Sequence, residues 1–182
     1  MHCVAAGENT GYNDFEIKAE STSFVAVATK GSSQHESLVH IKVERVDNLL
    51  PVDKEYFLFK TDTQGFELGV LKGAESILRD SVFLLMVEFS YGLLTRAKTD
   101  PLELLDFIYD LGYVCTHMAY HTRVRDESGS LKYTVVQHPG AHSSDGFSIT
   151  FEEFVQSLRK VELPGTVGVS GWTDLLCWKP WK

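Results

Sequence analysis

At 182 residues with 43% hydrophobic content, the chain is long enough for one domain with a continuous core. A formal net charge of -8, a pI near 5.3 and the absence of a basic stripe argue against a nucleic-acid backbone or an anionic membrane surface as the main partner. The longest apolar runs, such as Val82 to Val87, fall far short of the roughly 20 residues a spanning helix needs. The first six residues lack the charged start and long apolar stretch of a signal peptide, which leaves the cytoplasm as the default compartment.

His2 to Ala6 forms a short apolar run ending at Gly7-Glu8-Asn9-Thr10-Gly11. A strand followed by G-x-x-x-G invites comparison with a phosphate or cofactor loop, but such a loop opens a helix, and the next residues alternate instead. Phe15, Ile17 and Ala19 interleave with Asp14, Glu16, Lys18 and Glu20, a strand period, so Gly11 reads as a turn glycine. Phe24 to Ala28 and Val39 to Val46 are two further strands, separated by the Gly31-Ser32-Ser33-Gln34 loop. Residues 14–46 thus predict an antiparallel insertion within a single domain over 1–182.

The stretch from Tyr56 to Leu78 organises the rest. Tyr56 to Phe59 is an apolar strand running to Lys60, and a polar turn with Gly65 follows. From Phe66 onward the apolar residues Phe66, Val70, Leu71, Ala74, Ile77 and Leu78 fall at helical spacing. Ligands of open α/β sheets bind just past the carboxyl ends of the strands, where Asp62, Gln64 and Glu67 stand. Gly69 and Gly73 each cost a helix about 1 kcal/mol against Ala, which points to a close approach of helix to sheet. Val82 to Phe89 is an unbroken apolar strand suited to an interior position. Glu88 near its end is costly unless paired or facing a site.

Asp100-Pro101 opens a helix, with Asp100 as cap and Glu103 supporting the first turn. Leu102, Leu105, Ile108 and Tyr109 form its buried face and Gly112 its stop. Val114 to Tyr120 is a strand, on which His117 and His121 share a face without a nearby third metal ligand, so both read as ordinary hydrogen-bonded histidines. Arg123 to Gly146 is mostly loop, with Tyr133 to Val136 a short strand and His138 and His142 the residues in it most able to grip a substrate. Thr150 to Lys160 predicts a helix with Thr150 and Glu153 as a capping box. Trp172 to Trp178 predicts a closing strand. Cys3, Cys115 and Cys177 are widely spaced with no C-x-x-C, and read as reduced, packed thiols, with no metal site.

The wording of the central junction is specific. Lys60-x-Asp62-x-Gln64-Gly65-x-Glu67-x-x-Val70-Leu71-Lys72-Gly73-Ala74-Glu75 closely resembles the signature block of the FkbM family of S-adenosylmethionine-dependent methyltransferases. That block typically reads Lys-Ile-Asp-Val-Glu-Gly-Ala-Glu and continues into Val-Leu-Lys-Gly-Ala. Gln64 replaces the usual Glu and removes a charge. Val46-Asp47-Asn48-Leu49-Leu50 resembles the Leu-Asp-Asp-Leu-Leu segment before the signature, and Phe83 to Glu88 resembles the next strand. Val4-Ala5-Ala6-Gly7 resembles a segment after the family's third sheet strand. The likeness runs from about Cys3 to Tyr113 and more loosely to the end.

The resemblance implies a Rossmann-like class I methyltransferase sheet with strands in the order three-two-one-four-five-seven-six. It also implies S-adenosylmethionine as cofactor and a sugar or small-molecule hydroxyl as acceptor. It makes Asp62 and Glu88 the expected catalytic carboxylates, Asp62, Gln64 and Gly65 cofactor contacts, and Lys60 and Glu67 pocket-shaping residues. It places the chain's start at the third strand, so the glycine-rich turn after the first strand and the ribose carboxylate after the second are not written here. The sheet is expected to be incomplete in its N-terminal half, with Tyr56 to Lys60 as a bare edge, and the chain to be a fragment or a truncated relative. The alternative is a non-catalytic remnant or interaction domain on the same scaffold. A hydrolase finds no G-x-S-x-G turn.

Overall fold

The structure is a computed structural model and describes residues 3–17, 25–27, 37–118, 124–125, 131–132, 135–137, 148–159 and 171–180. The strands are β1 (Ala5–Ala6), β2 (Gly11–Ile17), β3 (Val25–Val27), β4 (Ser37–Glu44), β5 (Tyr56–Thr61), β6 (Val82–Ser90), β7 (Val114–His117), β8 (Val124–Arg125), β9 (Leu131–Lys132), β10 (Val135–Gln137), β11 (Ser148–Thr150) and β12 (Trp172–Trp178). The helices are α1 (Glu67–Gly73), α2 (Glu75–Asp80), α3 (Tyr91–Arg96), α4 (Pro101–Asp110) and α5 (Phe151–Arg159), with a 3-10 turn at Val46–Asn48. No helix among the described residues is long and apolar enough to cross a membrane. His121, His138 and His142 lie outside the described residues.

Six strands form one sheet in the order β11-β10-β7-β12-β6-β5, and four form a second in the order β1-β4-β2-β3. In the large sheet β5 runs parallel to β6, while β12 is antiparallel to both β6 and β7. Strand alternation sets the core: Leu85, Val87 and Phe89 of β6 and Leu175 and Cys177 of β12 are buried with Leu71, Ile77, Leu104, Ile108, Phe151 and Phe154 from the helices. The intervening residues Leu84, Met86, Glu88, Asp174 and Leu176 are only half-buried. Among the described residues β5 closes one end of the sheet, pairs only with β6 and leaves Phe57 73% and Leu58 47% exposed. The expected insertion is antiparallel in β2, β3 and β4, but these strands join β1 in a sheet of their own.

Two sequence expectations are corrected. The helix expected from Phe66 to Leu78 is two helices, broken at Ala74, whose φ of -114° is not helical. Arg45 and Asp47 enter at the break. Arg45 donates to the Lys72 carbonyl at 2.9 Å, and the Asp47 carboxylate accepts from the backbone N–H groups of Ser76 and Ile77, each at 3.1 Å, capping α2. Gly73 sits so close to the chain after β1 that a Cβ would lie 2.0 Å from the Gly7 carbonyl oxygen. The close approach expected of the signature helix is thus made at Gly73, against Gly7. Cys115 and Cys177, expected as thiols, stand directly opposite on β7 and β12 and form a disulfide. Cross-strand register, which linear spacing does not reveal, brings them together. Cys3 is a free, exposed thiol.

Other local signals act as written. Asp100 accepts from the Leu102 N–H at 2.9 Å to cap α4, and Gly112 ends it with φ 88°. Thr150 and Glu153 exchange side-chain to backbone hydrogen bonds at 2.9 and 3.2 Å, a complete capping box for α5. His117 is buried against the Phe154 ring.

Candidate functional site

β5 ends at Thr61, and the chain reverses through Asp62, Thr63, Gln64 and Gly65 before α1 begins. Two successive residues take left-handed backbone, Gln64 at φ 56° and Gly65 at φ 106°. A Cβ on Gly65 would lie 2.5 Å from the Leu93 carbonyl oxygen, so only glycine fits there. Glu67, 1% exposed, folds back into this turn. Its carboxylate accepts from the Thr63 N–H at 2.9 Å, from the Gly65 N–H at 2.9 and 3.1 Å, and from the Thr63 hydroxyl at 3.3 Å. A buried carboxylate needs such donors, and here they are the turn itself.

Asp62, Gln64 and Glu88 come together on the other side. The Gln64 Nε2 donates to Asp62 Oδ1 at 2.8 Å and to Glu88 Oε2 at 2.9 Å, joining the end of β5 to the end of β6. Lys60 Nζ stands 3.5 Å from Asp62. Asp174 on β12 lies opposite Glu88. Burial, then the negative charge and hydrogen bond of Asp62, then the charges of Glu67 and Asp174, push the Glu88 carboxyl up to about 8. Burial also works against ionisation of Asp62. The hydrogen bonds from Gln64 and Glu88 and the charge of Lys60 outweigh it and hold Asp62 below the usual carboxylate range. These surroundings favour an ionised Asp62 beside a protonated Glu88. The buried hydroxyls of Thr61 and Ser90, the last residues of the same two strands, have no partner among the described residues.

Asp62, Thr63, Gln64, Phe66 and Gly69 line one wall of a cavity of about 780 Å³. The opposite wall is β1 with the Gly7 to Thr10 turn, and Phe15, Ile41 and Val43 add apolar surface. The cavity therefore lies between the edge strands of the two sheets. Its rim is held by Glu44, which accepts from the Thr10 hydroxyl, from Asn48 at 2.9 Å and from Lys42 at 3.1 Å. Those contacts, that of Thr10 foremost, hold the Glu44 carboxyl down at about 2. Arg45 secures the rim further by donating to the Glu8 carbonyl at 2.7 Å.

Of the residues singled out from sequence, Asp62, Gln64 and Glu88 meet directly and Lys60 pairs with Asp62. Gly65 and Glu67 build the turn and do not line the cavity. Glu8, Thr10, Phe15 and Phe66 line it and were not singled out. The sequence signal for this wall was the apolar run and turn from Val4 to Gly11, with Gly11 read as a turn glycine and Val4 to Gly7 likened to the segment after the family's third strand. Among the described residues no three His, Cys, Asp or Glu side chains are grouped to hold a metal ion.

The cavity combines an ionised carboxylate, turn backbone and an apolar wall, a donor set that fits a ligand with a cationic centre and a flat apolar group. A model of the methyltransferase FkbM domain matches residues 1–115. No individual curated protein and no solved structure matches the chain.

Proposed function

The chain belongs to the FkbM methyltransferase family, and from that membership we propose an S-adenosylmethionine-dependent methyltransferase that acts on a hydroxyl of a sugar or small metabolite. The observation that carries this reading is the position of Asp62: an ionised carboxylate at the end of β5, facing a cavity large enough for a nucleoside. S-adenosylmethionine supplies a methyl group already activated on a sulfonium. What remains for the protein is binding, orientation and removal of one proton.

Phe15, Ile41, Val43 and Phe66 offer the apolar surface an adenine takes. Glu8 and Asp62 supply negative charge to the cationic end, with Thr63 and Gln64 beside them on the same wall and Gly65 acting through the turn. Asp62, ionised beside a protonated Glu88, is the group able to accept the acceptor's hydroxyl proton. Glu88 is tied to Asp62 through the Gln64 amide, which donates to both. Glu67 acts through the turn that it fixes.

The order β5-β6-β12-β7 follows the four-five-seven-six half of a class I methyltransferase sheet, and both β1 and β5 end their sheets at the cavity. These two sheet ends, unpaired among the described residues, support a Rossmann-like sheet whose cofactor cleft stays open within these 182 residues, as in a portion of a longer methyltransferase or a truncated relative. The same open edges favour the second reading, a non-catalytic remnant. Calorimetry separates them. The 182-residue chain is expected to bind S-adenosylmethionine more weakly than micromolar, and micromolar binding would overturn the open-cleft reading. A natural longer chain containing these residues is expected to bind and transfer methyl groups, and to lose turnover without unfolding in Asp62→Ala. Turnover retained in that variant removes Asp62 from the reaction, and a longer chain that does not bind the cofactor supports the remnant.

A further inference from the structure

Gln64 combines two features that no ordinary turn residue needs. It holds left-handed backbone at φ 56° although it carries a long side chain, a conformation that costs about 1 kcal/mol or more away from glycine. Both hydrogens of its Nε2 are engaged, one on Asp62 and one on Glu88, at 2.8 and 2.9 Å. The amide's orientation follows from its partners, because turned over it would present its oxygen to the ionised carboxylate of Asp62. A smaller or apolar residue would leave the ends of β5 and β6 joined by nothing but their two acids.

We propose that Gln64 is a positioning residue, a clasp that holds Asp62 and Glu88 as a pair sharing one proton, so that a single negative charge, on Asp62, faces the cavity. The surroundings bear on the same pair from three elements: Lys60 on β5 at 3.5 Å from Asp62, Glu67 at the start of α1, and Asp174 on β12 opposite Glu88. Glu67 is committed to the turn backbone and Lys60 is the sole cation at the pair among the described residues, so two unclasped carboxylates here would repel. A pair with one negative charge takes a hydrogen-bond donor or a cation and repels a phosphate or carboxylate. The ligand class thus deepens the methyltransferase reading by making the acceptor a neutral hydroxyl compound. The clasp itself stands without that reading.

The test is a carbon-13 carboxyl NMR titration of the 182-residue chain, comparing wild type with Gln64→Gly and Gln64→Asn. Glycine adopts the left-handed backbone freely and asparagine tolerates it while keeping a shorter amide, so the turn survives in both, which the Gly65 amide shift verifies. Wild type is expected to titrate Asp62 below and Glu88 above the usual carboxylate range. Gln64→Gly is expected to raise the Asp62 midpoint by about one pH unit, with Gln64→Asn between the two. An Asp62 midpoint that stays within about 0.3 units in Gln64→Gly, or ordinary titration of both acids in wild type, overturns the clasp. Failure of cofactor binding would leave this titration as it is, so the two readings fail separately.

Discussion

Glu67 and Glu88 are two glutamates that flank one turn, and their surroundings make them opposites. Glu67 is enclosed by backbone N–H groups and a hydroxyl, all directed at its carboxylate. Glu88 is half-buried among acids, and the Gln64 amide that donates to it is shared with Asp62. A carboxylate surrounded by donors is part of the fold, whereas one surrounded by carboxylates is poised to gain and lose protons. Sequence type alone does not separate the two. Partners do.

The contrast is broken most forcefully from the Glu67 side. Glu67→Ala leaves the Thr63 and Gly65 N–H groups without an acceptor in a buried turn, each worth about 1–3 kcal/mol. Urea unfolding is expected to show a loss of about 3 kcal/mol. Asp62→Asn, at a half-exposed position, is expected to stay within about 1 kcal/mol of wild type. Equal losses in the two variants would erase the distinction. Gly65→Ala is next, at about 2 kcal/mol, since the new Cβ meets the Leu93 carbonyl and the backbone is left-handed. Its far-ultraviolet circular dichroism should stay native-like while its melting temperature falls.

The Glu88 side is sharpened by pH. Because the folded carboxyl titrates near 8 against an ordinary value of 4.5, the folded state holds more protons than the unfolded state between those values. The contribution of Glu88 to stability therefore declines as pH rises through that window. Glu88→Gln has no such proton to lose. Thermal melts are expected to show wild type falling relative to Glu88→Gln between about pH 5 and pH 9, and parallel curves would return Glu88 to the ordinary range. Glu44 works with the opposite sign. Its carboxyl is held at about 2, so its contribution is present above the ordinary value and is lost on acidification. A Glu44→Gln variant should flatten only the acid limb.

Much of this was legible in the sequence because it is local. The change from strand to helical period at Gly65, the Asp100-Pro101 cap and the Thr150 to Glu153 box each lie within four residues, and each forms. The break between α1 and α2 was not legible, since it is imposed by Arg45 and Asp47 from about thirty residues upstream. The Cys115 to Cys177 bond depends on the register of two antiparallel strands 62 residues apart. The cavity's second wall, β1 with its turn, reads in isolation as punctuation and becomes a wall only when Gly73 packs against Gly7. The pairing of Glu88 with Asp62 was only half visible. A costly acid at a strand end could be seen, but the glutamine that joins it to its neighbour could not.

The central claim is that the Asp62 end of β5 faces a nucleoside-binding cleft. Amide chemical-shift mapping of the 182-residue chain with millimolar S-adenosylhomocysteine tests it most directly, because weak binding suffices. The expected perturbations fall on Gly7 to Tyr12 and Asp62 to Gly69, the two walls of the cavity. Shifts confined to other surfaces, such as the Phe57 and Phe83 face at the far end of β5 and β6, or none at saturating ligand, would contradict it.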